Sequence, residues 1–140
     1  APARFDGSEW FRASWLTQAL RGGGEEAVEL SPRPVAPGPD APEWSAITRS
    51  YLALSSEAAR VGVELVFVVP PAAPGGRAAQ CEGSFAALAP MLAARTGRRV
   101  LDYSCAALPD ALFIDRTHLG PAGRAAFTRS LAAALKADAL

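Results

Sequence analysis

Residues 63–70 read VELVFVVP, and this stretch decides the fold class of the chain. The run is rich in β-branched residues and almost unbroken in apolar character, whereas a strand with one solvated face alternates apolar and polar residues. Pro70 and Pro71 end the run, because proline has no N–H to donate to a strand ladder. The stretch therefore predicts a strand that is buried on both faces, at the centre of a parallel sheet.

Helices and a second strand are predicted on either side of this stretch. Residues 43–60 form a predicted helix before it, and residues 84–96, 99–103 and 121–137 form a predicted helix, strand and helix after it. The predicted helix 43–60 carries four apolar residues on one face: Ile47, Tyr51, Leu54 and Ala58. Alternating helices and strands indicate βαβ units, so the sequence predicts an α/β fold whose sheet is mostly parallel with helices on both faces.

The N-terminal third is predicted to hold a helix, a weak strand and a loop. Residues 8–20 suit a helix capped by Ser8, residues 26–30 suit a short strand, and residues 31–42 contain five prolines and suit an extended surface loop. A parallel sheet that is covered on both faces usually has about four or more strands. We therefore read residues 1–140 as one domain or as the C-terminal portion of a larger one. Strand 63–70 should pair on both sides, with a neighbour from upstream sequence, a second chain or residues 3–6.

Charge and hydropathy exclude two classes of partner. The chain has 140 residues and carries 14 Lys plus Arg against 14 Asp plus Glu, with no basic block. This balance predicts no binding to nucleic acid and no attraction to an anionic membrane surface. Because no apolar run reaches about 18 residues, no membrane span is predicted either.

The two cysteines, Cys81 and Cys105, leave two alternatives open. They lack a C-x-x-C spacing, which disfavours a zinc site. They form either a disulfide or two small buried side chains. A disulfide would indicate an extracytoplasmic protein, periplasmic or secreted.

Chemistry is concentrated in residues 113–123, which read FIDRTHLGPAG. Asp115 stands three residues before His118, the one histidine of the chain, on a loop that leads into the last helix. A serine esterase needs a histidine to accept the hydroxyl proton and a carboxylate to fix its tautomer. We expect Asp115 to lie about 2.6–3.2 Å from Nδ1 of His118, at the carboxyl edge of the sheet. The alternative is that Asp115 is a turn residue and His118 a surface residue near a helix start.

The segment around this pair resembles the final block of SGNH (GDSL-like) hydrolases. The similarity lies in DRTHLGPAG (115–123), AFT (126–128) and LAAAL (131–135), and more weakly in residues 52–71. It is nearest to the extracytoplasmic SGNH-like proteins of polysaccharide O-acetylation, such as those of the alginate system. The resemblance implies a three-layer, flavodoxin-like sandwich and a serine esterase or O-acyltransferase acting on an acetyl ester of a carbohydrate. Asp115 would orient His118, the general base and then acid, and no metal or organic cofactor is implied.

The nucleophile is where the chain departs from the SGNH pattern. The family places its serine in a Gly-Asp-Ser block and an oxyanion donor in a Gly-x-Asn-Asp block, and this chain contains neither block and no asparagine. Ser8 follows Phe5-Asp6-Gly7 and is the candidate nucleophile, although it also suits a helix cap. The alternative function is therefore a non-catalytic SGNH-like module that binds glycan or a partner protein.

Tryptophans offer a second kind of candidate site. Trp10, Trp15 and Trp44 would suit a sugar-binding groove, because an indole stacks well on the apolar face of a sugar ring. The alternative is that they belong to the core or its rim. Both readings are open at the level of the sequence.

Overall fold

The computed structural model describes residues 30–137. The predicted helix 8–20, with Ser8, Trp10 and Trp15, and nearly all of the weak strand 26–30 lie outside these residues. The described part contains four α-helices and two strands, in the following order: α1 Ser45–Arg60, β1 Val66–Val69, α2 Pro74–Cys81, α3 Leu88–Thr96, β2 Arg99–Asp102 and α4 Pro121–Ala137. Single 3-10 turns occupy Pro42–Trp44, Ser84–Ala87 and Asp110–Leu112.

The two strands are paired in parallel, as predicted. Val66 lies opposite Arg99, and Val69 lies opposite Asp102. The last residue of β2 also contacts the proline-rich segment, because Arg33 forms an isolated antiparallel bridge with Asp102. The protein is therefore a mixed α/β protein with a small parallel sheet. Within residues 30–137, β2 is the one strand paired with β1, so a second neighbour for β1 stays a prediction.

Apolar clusters lie on both faces of the strand pair, because successive side chains of a strand point to opposite faces. One cluster joins Val100 of β2 to Ala89 and Leu92 of α3, with Phe67 of β1 and Tyr51 of α1 packed against it. The other joins Leu101 and Tyr103 to Phe127 of α4, with Val66 of β1 packed against it. Helices α1 and α3 therefore cover one face, and α4 covers the other.

The buried face of α1 differs from the predicted one. Ile47 and Leu54, both expected in the core, are 43% and 50% exposed, whereas Thr48 and Ser55 are buried together with Ala58. The two buried hydroxyls are both hydrogen-bonded. Thr48 donates to the carbonyl of Trp44 over 2.7 Å, and Ser55 accepts from the guanidinium of Arg98 over 2.9 Å. Because these bonds remove the cost of burying a hydroxyl, small polar residues can occupy the contact face.

The predicted helix 84–96 divides into two parts, and a helix that was not predicted precedes it. Ser84–Ala87 is a 3-10 turn, and α3 begins at Leu88, so Pro90 falls in the first turn, where its missing N–H is not required. The unpredicted helix is α2, which begins with Pro74 and ends at Cys81.

A disulfide joins the last residue of α2 to the segment that follows β2. Cys81 and Cys105 are bonded, with their Cα atoms 4.8 Å apart. Of the two alternatives left open by the sequence, the disulfide is the one present. The bond ties α2 to the carboxyl end of the sheet.

Gly123 allows the first turn of α4 to approach the preceding turn closely. A Cβ atom at this position would lie 2.5 Å from the carbonyl oxygen of Leu112 and 2.9 Å from Cδ2 of Leu119. We expect Gly123→Ala to lower the free energy of unfolding by about 2 kcal/mol, as overpacking of a tight contact does. Guanidinium denaturation of the two proteins measures this difference in the free energy of unfolding.

Gly75→Ala is the matched control for this prediction. Gly75 is also helical, but a Cβ there would meet no atom within 4 Å. Its substitution should leave stability unchanged or raise it by about 0.5–1 kcal/mol through helix propensity. Equal effects of the two substitutions would contradict a steric role for Gly123.

Candidate active site

The predicted Asp-His segment is a loop that is closed at its base by backbone hydrogen bonds. Phe113 and Leu119 form an antiparallel bridge, and the N–H of Ile114 donates to the carbonyl of His118 over 2.8 Å. Below the bridge, the N–H of Gly120 donates to the carbonyl of Leu112 over 2.7 Å. The base of the loop is thus fixed, and α4 begins directly after it. We call residues 113–119 the His118 loop.

The His118 loop lies beyond the carboxyl end of β1. The N–H of Ala73, four residues after the end of β1, donates to the carbonyl of Arg116 in the loop over 3.1 Å. Gly76 in the first turn of α2 also lies near this carbonyl, because a Cβ built there would be 3.8 Å from it. The loop therefore contacts the segment that follows the carboxyl end of β1, in agreement with the location predicted from the sequence.

The carboxylate of Asp115 and the imidazole of His118 are in direct contact. Nδ1 of His118 lies 2.8 Å from Oδ2 and 2.9 Å from Oδ1 of Asp115. Both distances fall in the range expected for a hydrogen-bonded pair, so the geometric prediction is confirmed. With a proton on Nδ1, the ring donates to the carboxylate, and Nε2 is left with a free lone pair.

Backbone N–H groups hold the carboxylate in its ionised form. Oδ1 of Asp115 accepts the N–H of Thr117 over 2.9 Å and the N–H of His118 over 2.8 Å. These two bonds, followed by the bond to the His118 side chain, lower the pKa of Asp115 to about 2. Asp115 is therefore negatively charged at any pH well above that value, and it can stabilise an imidazolium on His118.

The side chain of Thr117 also contacts both members of the pair. Its Oγ1 lies 3.3 Å from Oδ1 of Asp115 and 3.2 Å from Nδ1 of His118. This contact was not predicted from the sequence, because a threonine inside a D-x-x-H loop carries no signal beyond its ability to hydrogen-bond.

The imidazole of His118 is largely open to solvent. The side chain of His118 is 74% exposed, and that of Asp115 is 54% exposed. Among residues 30–137, hydrogen bonds to the ring come from Asp115 and Thr117, and all of them involve Nδ1. No serine within residues 30–137 is thus hydrogen-bonded to Nε2, and Ser8 lies outside the described residues.

Trp44, the one described tryptophan, lies beside a second aromatic ring. Its indole N–H donates to the carbonyl of Ser84 over 2.9 Å, and its ring centre lies 4.8 Å from that of Phe85. The ring is half-buried, and the contacts fix α1 to the turn before α3. These contacts give Trp44 a packing role, and a sugar-binding role for it remains a prediction.

Residues 30–137 contain no group of three or more His, Cys, Asp or Glu side chains placed to hold a metal ion. No helix within them has the length and apolar character needed to cross a membrane.

The chain was compared with known protein families, curated proteins and solved structures. No family model matches it, and no curated protein or solved structure does so either.

Proposed function

We propose that the protein is an SGNH-type serine esterase or O-acyltransferase that acts on an acetyl ester of a carbohydrate. One observation carries the proposal: Nδ1 of His118 is held 2.8 Å from a carboxylate, while the side chain is 74% exposed and no residue within 30–137 is hydrogen-bonded to Nε2. A histidine base in a serine esterase needs this division, with one nitrogen oriented by an acid and the other open to a hydroxyl.

Each residue of the pair has a defined role in the proposed reaction. Nε2 of His118 takes the proton of a serine hydroxyl as its oxygen attacks the acetyl carbonyl carbon. The imidazolium then gives that proton to the departing sugar oxygen, leaving an acetyl-serine. His118 next takes a proton from water, for hydrolysis, or from a second sugar hydroxyl, for transfer, as that oxygen attacks the acetyl carbon. The proton then passes to the serine oxygen, which leaves, and acetate or the new acetyl ester is released. Asp115 stays ionised throughout and stabilises the imidazolium.

The serine in this proposal comes from outside residues 30–137. Ser8 is the candidate within the chain, and a segment upstream of it or a second chain are the alternatives. Whichever sequence supplies the serine would also add strands beside β1 and extend the described strand pair into a three-layer sandwich. No metal or organic cofactor takes part in the proposed reaction.

The proposed location is extracytoplasmic. Support comes from the Cys81–Cys105 disulfide, since disulfides persist mainly in oxidising compartments. The same location suits an enzyme that modifies exported polysaccharide.

A fluorophosphonate probe tests the proposal directly, because it phosphonylates a serine only when a neighbouring base activates the hydroxyl. We expect the intact protein to be labelled on one serine, identified by peptide mass, and His118→Ala to remain unlabelled. Arg49→Ala, an exposed substitution on α1, is the control and should be labelled like the wild type. Absence of labelling in the wild type, together with binding of an acetylated oligosaccharide, would favour the non-catalytic glycan-binding module instead.

A further inference from the structure

We propose that Thr117 is a positioning residue, whose hydroxyl holds the Asp115–His118 pair in the tautomer with the proton on Nδ1. The inference deepens the proposed function and rests on it for its consequence in catalysis. The tautomer of the His118 imidazole can be measured even if the protein shows no enzymatic activity.

The hydroxyl of Thr117 is placed to bond both partners at once. It has one proton to donate and two lone pairs to accept with. Its Oγ1 can donate to Oδ1 of Asp115 over 3.3 Å while it shares the N–H of Nδ1, 3.2 Å away, with the carboxylate of Asp115. If Nδ1 carries no proton, the single hydroxyl proton can go to Nδ1 or to Oδ1 but not to both, so one of the two bonds is lost. The tautomer with the proton on Nδ1 keeps both bonds.

The backbone N–H groups alone do not select the tautomer with the proton on Nδ1. The N–H groups of Thr117 and His118 both bond Oδ1 of Asp115, and they orient the carboxylate whichever ring nitrogen carries the proton. The Thr117 hydroxyl is the one described group, apart from the carboxylate itself, that contacts the ring nitrogen. The side chains of His118 and Asp115 are 74% and 54% exposed, so water competes with the Thr117 hydroxyl for hydrogen bonds to both.

The consequence for catalysis concerns Nε2. In the neutral ring, a proton on Nδ1 leaves Nε2 as the acceptor, which is the form that takes a proton from a serine. In the opposite tautomer Nε2 carries the proton and is inactive as a base. Thr117 therefore raises the fraction of His118 that is ready to react.

The test is nitrogen-15 NMR of the intact protein, in which the shifts of Nδ1 and Nε2 report the tautomer. His118 is the one histidine of the chain, so its signals need no further assignment. Thr117→Val keeps the shape and the backbone N–H but removes the hydroxyl, and Thr117→Ser restores the hydroxyl. Thr128→Val, in α4 away from the pair, is the matched control.

We expect Thr117→Val to reduce the ratio of the Nδ1–H to the Nε2–H tautomer by about threefold to fivefold, the effect of one modest hydrogen bond. Thr117→Ser and Thr128→Val should both give the wild-type ratio. An unchanged ratio in Thr117→Val, or a lowered ratio that Thr117→Ser does not rescue, would overturn the inference.

Activity measurements separate this inference from the proposed function. A shifted tautomer ratio in Thr117→Val with no esterase activity in the wild type refutes the enzyme and keeps the positioning role. An active wild type with an unshifted ratio keeps the enzyme and refutes the positioning role.

Discussion

Replacement of His118 by alanine is expected to lower kcat for hydrolysis of a small acetyl ester by about 10⁴-fold or more. The reason is that the proposed reaction has one general base, and the chain has no second histidine to replace it. Release of p-nitrophenol from p-nitrophenyl acetate by the intact protein measures the effect. Any residual rate should resemble that of the phosphonylated protein.

Asp115→Asn tests the second member of the pair. The amide oxygen can still accept the N–H groups of Thr117 and His118, while the amide NH₂ faces Nδ1 as a donor. Because a donor in that position favours the wrong tautomer, we expect a loss of about 10³–10⁴-fold in kcat with little change in KM. Restoration of the wild-type rate at high pH would contradict this reason, since the tautomer of the neutral ring does not depend on pH.

Folding must be shown to be intact in both variants. The side chain of His118 is 74% exposed, so its removal creates no cavity in the core. The midpoint of thermal unfolding should therefore stay at the wild-type value in His118→Ala. Full activity in a folded His118→Ala protein would rule out the esterase mechanism.

Removal of the Cys81–Cys105 disulfide should have the largest effect on stability. The bond closes a loop with a sequence separation of 24 residues, for which the chain-entropy relation gives about 3–4 kcal/mol at 25 °C. We expect the double variant Cys81→Ala, Cys105→Ala to lose stability of this size in guanidinium denaturation. That is a large share of the about 5–15 kcal/mol that stabilises a typical domain.

The same variant should also loosen the attachment of the His118 loop. The disulfide fixes the end of α2, and Ala73 at the start of α2 donates its N–H to Arg116. Hydrogen exchange at the Ala73 amide should therefore be faster in the double variant than in the wild type. A reductant should reproduce both effects in the wild type and change nothing in the double variant. If a reductant lowers the stability of the double variant as much as that of the wild type, the loss of stability has a cause other than this disulfide.

Local features of the fold were predictable from the sequence, and features that depend on distant contacts were not. The apolar run at 63–70 predicts β1, but the ladder begins only at Val66. The prediction that the strand is buried on both faces is wrong, since Val63 is 56% and Val68 36% exposed. Val63 instead belongs to the turn that ends α1. Its N–H donates to the carbonyl of Ala58, and Gly62 takes a φ of +71°. Helix α2 was missed because its Gly75-Gly76 pair opposes helix formation, and its anchor Cys105 is remote in sequence.

The candidate site divides in the same way. A carboxylate three residues before a histidine can bond both the backbone and the ring within one turn, so the geometry of Asp115 and His118 followed from spacing. The contact between Ala73 and Arg116 joins segments more than 40 residues apart, and no local pattern indicates it. The serine of the proposed reaction would also be distant in sequence, so the spacing of this motif predicts the proposed base and acid but not the serine.

The contact between Arg33 and Asp102 limits the direction in which the sheet can grow. Arg33 donates its backbone N–H to the carbonyl of Asp102 over 2.8 Å, and its guanidinium bonds the buried carboxylate of the same residue. Its neighbours Pro32 and Pro34 have no N–H to offer to another chain. A strand added beside β2 would have to break both bonds at this end, which disfavours extension of the sheet there. Self-association of two copies through this end of β2 is therefore disfavoured.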